Sequence, residues 1–230
     1  MKKESVDVKK IVTVSLFWGA LWGITEATLG YLAHLVLVIP TIAGFIMFPI
    51  GFYFMTRAYK ETGKLSSLFS TAGVAASIKL VDLFLPNLSP IKTINPAASI
   101  LLESVVVILI LKAMARYANT KTAVGPGQFR FKEAFAAAAG WRIGFVMYFL
   151  LLFALSISGE FFQMGTAHIL RFLLLESVIN AVIITAYLKT AQLLNQKKTW
   201  PLTSSWSVRP AISAAVFTAA ILVKLVPAVI

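Results

Sequence analysis

Residues 100–108 read I-L-L-E-S-V-V-V-I, and residues 173–180 read L-L-L-E-S-V-I-N. The shared L-L-E-S-V places one glutamate, Glu103 or Glu176, inside each of two runs that are otherwise almost wholly apolar. The apolar runs around them continue for about the 20 residues that a helix needs to cross a bilayer. They do not alternate apolar and polar residues, as the strands of a membrane barrel would. Both stretches therefore read as membrane-spanning helices that carry a carboxylate where hydrocarbon offers it no solvation.

The whole chain has the same character. Of its 230 residues, 59% are hydrophobic and only 13% charged, and its mean hydropathy is +0.85. Soluble domains run nearer half apolar and a quarter charged. We read one all-α integral membrane domain over residues 1–230, a polytopic bundle of about seven transmembrane helices. The expected spans are approximately 11–38, 41–57, 65–86, 96–113, 134–157, 165–188 and 209–229.

The net charge of +12 does not mark a nucleic-acid binder, because of where the charge lies. Sixteen of the 21 Lys and Arg fall in four places: the N-terminal tail, 57–64, 112–132 and 189–209. These are alternate connections, so all four lie on one side, as the positive-inside rule requires of a cytoplasmic face. The expected setting is the cytoplasmic membrane, with a cytoplasmic N-terminus and, after seven spans, an external C-terminus. The lipid bilayer is the expected partner, with other membrane subunits as further candidates.

Cysteine is absent, which removes disulfides, thiolate metal sites and thiol nucleophiles. His34 and His168 are the only histidines and have no paired-ligand spacing, so no metal site and no cofactor is expected. Sequence motifs for a nucleotide loop or a nucleophile elbow are missing as well. An intramembrane glutamate can act as acid or base, but nothing assembles a nucleophile beside it, and no catalytic residue is assigned.

The repeated L-L-E-S-V belongs to a longer correspondence. Residues 75–80, A-A-S-I-K-L, precede Glu103 as residues 138–143, A-A-G-W-R-I, precede Glu176. Each unit is a helix with one cation (Lys79 or Arg142), a short external connection, and a helix with one carboxylate. The units read as parallel hairpin repeats, an arrangement that transporters use. A lone charge at mid-helix costs about 2.5–3.5 kcal/mol to insert, so Lys79 is expected to pair with Glu103 and Arg142 with Glu176. Counted at ~1.5 Å per residue, Lys79 and Glu103 match in depth. Arg142 falls nearer the cytoplasmic side than Glu176. Asp82, three residues after Lys79, can complete or compete for that lysine. Each pair is either a staple between neighbouring helices or part of a binding or transport site. Lys224, near the end of the last span, is expected to snorkel to the headgroups.

In the first span, Trp18, Trp22 and Glu26 recur every four residues and share one helical face. They offer either stacking surface beside a carboxylate, suited to a small polar or aromatic solute, or two lipid-facing indoles. Gly19, Gly23 and Gly30 form a neighbouring small-residue stripe of the kind that lets helices approach closely. Externally, S-G-E-F-F-Q-M-G at 158–165 is either a lid or a plain turn. Glu160, His168 and Arg171 would line a vestibule there if they face inward.

A basic tail running into a helix of small residues, then I-P-T-I-A-G-F-I-M-F-P-I-G at 39–51 and a cytoplasmic turn, resembles the S components of energy-coupling-factor importers of vitamins and metals. The resemblance covers roughly residues 8–60. It implies a substrate-binding membrane subunit energised by partner ATPases, with Ser15, Gly19 and Gly23 meeting a coupling subunit. The readings that follow are a small transporter or its substrate-binding subunit, and an accessory subunit anchoring a larger membrane complex.

The absence of cysteine makes the orientation directly testable. A single cysteine at Asn87 or Gly165 should react with an impermeant thiol reagent in intact cells, and one at Gly125 or Ser204 should not. Labelling of Gly125 from outside would reverse every assignment of sidedness.

Overall fold

The computed structural model describes residues 2–36, 42–84, 90–117, 124–197 and 209–225. Asn87 and Ser204 lie outside the described residues. All regular structure among the described residues is helical. The long helices are α1 (Lys2–Val36), α2 (Ile42–Thr62), α3 (Ser66–Leu80), α4 (Pro90–Tyr117) and α5 (Phe131–Ala154). Two short helices follow, α6 (Glu160–Gln163) and α7 (Thr166–Leu170). A π-helical turn (Arg171–Leu175) leads into α8 (Glu176–Lys197), and α9 (Pro210–Leu225) ends the fold.

Five helical stretches are long and apolar enough to cross a membrane: Val8–Leu29, Ser66–Phe84, Thr93–Tyr117, Phe131–Ala154 and Thr166–Leu193. The protein is therefore compatible with a multi-pass membrane protein built as a helical bundle. The remaining two long helices differ for visible reasons. Helix α2 carries Arg57, Lys60 and Glu61 in its last two turns, and the described apolar part of α9 is Pro210–Leu222.

Helix α2 is the hub. It packs against α1, α3, α4 and α8, while α3 joins α4, α4 joins α5, and α5 joins α8. Helix α9 closes the other side against α1 and α3. The outward faces of α4, α5 and α8 present Leu109, Ile143, Met147, Leu150, Val178 and Val182. Exposed aliphatic side chains of this kind are what a lipid-facing surface needs, because hydrocarbon is as good a solvent for them as another helix.

Helices in lipid gain little from apolar burial and are held by close packing instead. One tight seam is α1 against α3, and Gly19 and Gly23 make it. A carbon added at Gly19 would lie 2.6 Å from both the Thr71 carbonyl oxygen and Val74 Cβ. One added at Gly23 would lie 2.7 Å from Ile78 Cδ1. Ser15 on the same stripe is also buried. In this conformation the small-residue stripe meets a helix of its own chain.

That seam gives a stability prediction. Gly19→Ala should destabilise by about 1–3 kcal/mol, the usual cost of overpacking a tight interface. Gly73→Ala, where nothing lies within 4 Å of the added carbon, should be neutral or slightly stabilising. Thermal unfolding of the detergent-purified protein would separate the two.

Candidate functional site

Four charged side chains inside the bundle lie at similar depth. Lys79, Arg142 and Lys224 lie 13, 11 and 14 residues from the starts of α3, α5 and α9, and Glu103 lies 14 residues from the end of α4. All four helix ends are on the face that carries the basic connections. At ~1.5 Å per residue these groups stand ~17–21 Å from that face. Two clusters, built on these four, make up the charged layer.

The first cluster joins α1, α3 and α9. Asp82, in the 3-10 turn Val81–Phe84 after α3, accepts from Lys79 Nζ at 3.0 Å and from Lys224 Nζ at 2.9 Å, both through Oδ2. Lys224 therefore turns into the bundle, against the expectation that it snorkels. Its helix brings it to the depth of Lys79, where it meets the buried Asp82 carboxylate. Glu26 faces the same two lysines within electrostatic reach. Its Oε2 has no hydrogen-bond partner among the described residues.

The second cluster joins α4, α5 and α8. Arg142 is 0% exposed. Its guanidinium donates to the Ala138 carbonyl at 2.9 Å and to Asn180 Oδ1 at 2.7 Å, and lies 3.6 Å from Glu176 Oε2. It also sits 4.6 Å from the Trp141 ring centre and 5.3 Å from that of Phe172, positions that favour a cation. Arg171 reaches the other Glu176 oxygen at 3.6 Å. Glu103, on α4, is 2% exposed, and its Oε2 has no partner among the described residues.

The expected pairings are thus redistributed. Lys79 belongs to Asp82, and no ion pair joins it to Glu103 among the described residues. Arg142 and Glu176 do meet, although depths counted from the sequence separate them. The connection explains this. Chain 155–170 is not a simple extension of the fifth helix: α6 folds back, and Phe161 stacks on Phe149 at 4.6 Å with the rings parallel to within 2°. The π turn then shifts the helical register just before Glu176.

Asn180 is the residue that sequence reasoning missed. Pro49 has no N–H, so the Phe45 carbonyl four residues earlier loses its helical partner. Asn180 Nδ2 donates to that carbonyl at 2.6 Å. One side chain thereby satisfies the defect in α2 and an N–H of Arg142 in α5. The available signals were the spacing Glu176–Asn180, one helical turn on one face, and a proline inside an apolar helix.

The aromatic face of α1 is packed, neither open to a cavity nor turned to lipid. Trp18 Nε1 donates to Glu61 Oε1 at 3.1 Å, and Arg57 lies 5.1 Å from its ring centre. Trp22 is wholly buried on Gly51 of α2, whose missing side chain leaves room for the indole. Of the three external candidates, only Arg171 joins the layer. Glu160 is exposed, and His168 lies edge-on to Phe161 at 6.3 Å. The segment 158–165 is a plug of aromatic contacts on the end of the bundle.

A groove of about 530 Å³ lies elsewhere, on the basic face between α4 and α5, lined by Met114, Tyr117, Arg130 and Glu133 among others. Nine residues, ~13 Å of helix, separate its Glu133 from Arg142. No group of three or more metal-ligating side chains occurs among the described residues. Comparison with protein-family models, curated proteins and solved structures finds no match.

The bridge through Asn180 predicts non-additivity. Asn180→Ala should cost about 1–3 kcal/mol by leaving a buried carbonyl and a guanidinium N–H short of partners. In a Pro49→Ala background the restored N–H of residue 49 satisfies the carbonyl, so the loss should be smaller. Equal losses in both backgrounds, measured by thermal unfolding, would show that the bridge is incidental.

Proposed function

We propose that this chain is a small membrane transporter, or the substrate-binding membrane subunit of one, for a small polar solute. The observation that carries the reading is the charged layer, in which Glu26 and Glu103 each keep a buried oxygen without a partner. Four acidic groups (Glu26, Asp82, Glu103, Glu176) stand against four basic ones (Lys79, Arg142, Arg171, Lys224) in that layer. An unpaired acceptor in a water-free interior is costly. A binding site keeps acceptors in reserve for the donors of its solute.

On this reading α2 and α9 are also membrane spans, which makes seven, and α3–α4 and α5–α8 are two copies of one hairpin. The N-terminus and the basic connections lie in the cytoplasm, and the solute approaches from the face closed by α6. The resemblance to S components favours a subunit energised by partner ATPases. Any such partner must meet a face other than Ser15, Gly19 and Gly23, since Ser15 is buried and the two glycines are covered by α3.

The second reading is an accessory subunit that anchors a larger complex, and the filled packing around Trp18 and Trp22 is what it expects. The direction of the charges weighs against it. Even the most exposed of them, Arg171, has a side chain only 37% accessible. The rest turn inward, leaving no charged stripe for partner helices among the described residues.

Hydrogen bonds to charged groups contribute about 1.5–3 kcal/mol, so losing one weakens binding roughly tenfold or more. Glu26→Gln and Glu103→Gln should each reduce the solute that co-purifies by that factor while folded yield in the membrane stays near wild type. Mass spectrometry of the purified proteins reads the occupancy. Unchanged occupancy with loss of co-purifying subunits would favour the anchor.

A further inference from the structure

We propose that the groove between α4 and α5 at the basic face binds one anionic phospholipid, with the phosphate on Arg130 and Lys132 and an acyl chain lying along the two helices. The site is separate from the charged residues inside the bundle and does not depend on the transport reading.

The groove exists because the two helices touch at one level and part at the next. A carbon added at Gly140 would lie 2.7 Å from Val106 Cγ1, and one added at Gly144 would lie 3.4 Å from Leu102 Cδ2. At those levels α5 lies directly against α4. One turn nearer the basic face the corresponding positions are Ile110 and Ala136, and both line the space of about 530 Å³. The α4 wall is Ile110, Ala113, Met114 and Tyr117, spaced by three and four and therefore on one helical face. It runs for ~10 Å of helix toward the end of α4. Arg130, Lys132 and Glu133 line the same space where α5 begins. The groove is thus charged at the basic face and apolar toward the middle of the bundle, the order of polarity of a phospholipid in that leaflet. Leu109 and Phe131, next in the chain to lining residues, are exposed as a lipid-facing border requires.

Charge selects the headgroup. Arg130 and Lys132 each lie 3.6 Å from Glu133 Oε1, and Glu133 Oε2 accepts from the Arg130 backbone N–H at 2.9 Å. The carboxylate is therefore occupied in closing the first turn of α5, and two cations stand against one anion. A single phosphodiester balances the remainder. The Arg130 and Lys132 side chains are 75% and 73% accessible. Ion pairs so exposed contribute only about 0–1 kcal/mol, so both side chains can turn to a phosphate at little cost. Arginine then offers paired N–H donors and lysine a compact charge. Basic pockets between membrane helices suit anionic headgroups for this reason. Tyr117, 93% exposed, adds a phenol at the mouth, where interfacial aromatic residues sit. A soluble anion would use the cations and leave the apolar wall uncovered. A zwitterionic lipid would cover the wall and bring its own cation toward Arg130 and Lys132.

Native mass spectrometry of the full chain, delipidated in detergent and given phosphatidylglycerol or phosphatidylcholine of the same acyl length, tests the site. The wild type should retain one phosphatidylglycerol per chain in preference to phosphatidylcholine. Arg130→Gln combined with Lys132→Gln should weaken that retention about tenfold or more, as the loss of charged hydrogen bonds implies. Lys9→Gln combined with Lys10→Gln, an equal loss of charge on α1, should not. Ala136→Trp should fill the groove and weaken retention without removing a charge. Excess inorganic phosphate should leave the lipid bound. All the substituted residues are exposed, so folded yield should match wild type. Should Ala136→Trp nevertheless fail to fold, Ala113→Trp blocks the same groove from α4. Equal retention of the two lipids, equal losses in the two charge variants, full retention with the groove filled, or displacement by phosphate alone would overturn the proposal.

Discussion

A guanidinium with no access to solvent has to find all its compensation within the protein. Arg142 is in that position, and the surrounding architecture follows from it. Its carboxylate comes from α8, one acceptor from its own helix, and another from Asn180. Asn180 in turn ties α8 to α2 through the carbonyl that Pro49 leaves unbonded. A proline that weakens α2 as a helix thus makes α2 a docking point. The central helix, the most buried cation and the π turn before Glu176 form one connected arrangement.

The layer holds its carboxylates in two ways. Asp82 and Glu176 are each shared by two cations, Asp82 through Oδ2 alone and Glu176 through both oxygens. Glu26 and Glu103 are buried as well, each with one oxygen unpartnered among the described residues. Buried ion pairs stabilise poorly for the desolvation they demand. A layer that also leaves two carboxylate oxygens unpartnered gives up further stability, and a protein keeps such a defect where function requires it.

Helix α1 packs on two faces and brings one buried carboxylate to the charged residues. Gly19 and Gly23 admit α3, Trp18 and Trp22 fill the contact with α2, and only Glu26, a turn deeper, reaches the layer. The aromatic residues position the carboxylate by packing. The aromatic plug around Phe149, Phe161 and Phe172 does the same at the other end, fixing the approach of α8 to α5.

By itself the sequence determined the class of the protein. Apolar runs of bilayer length can satisfy their backbone only as helices, and the clustering of Lys and Arg marks one face. It also determined that Glu26, Glu103, Arg142 and Glu176 would need compensation, since a mid-helix charge is costly wherever the helix sits. Which charge answers which was decided only by the tertiary structure. Lys79 went to Asp82 and not Glu103, Lys224 turned inward, and Asn180 bridged two helices. The physical reason is that partnership depends on the rotation of each helix and the order of its neighbours. Long apolar helices carry little of that information locally, because lipid and protein interior solvate their side chains almost equally well.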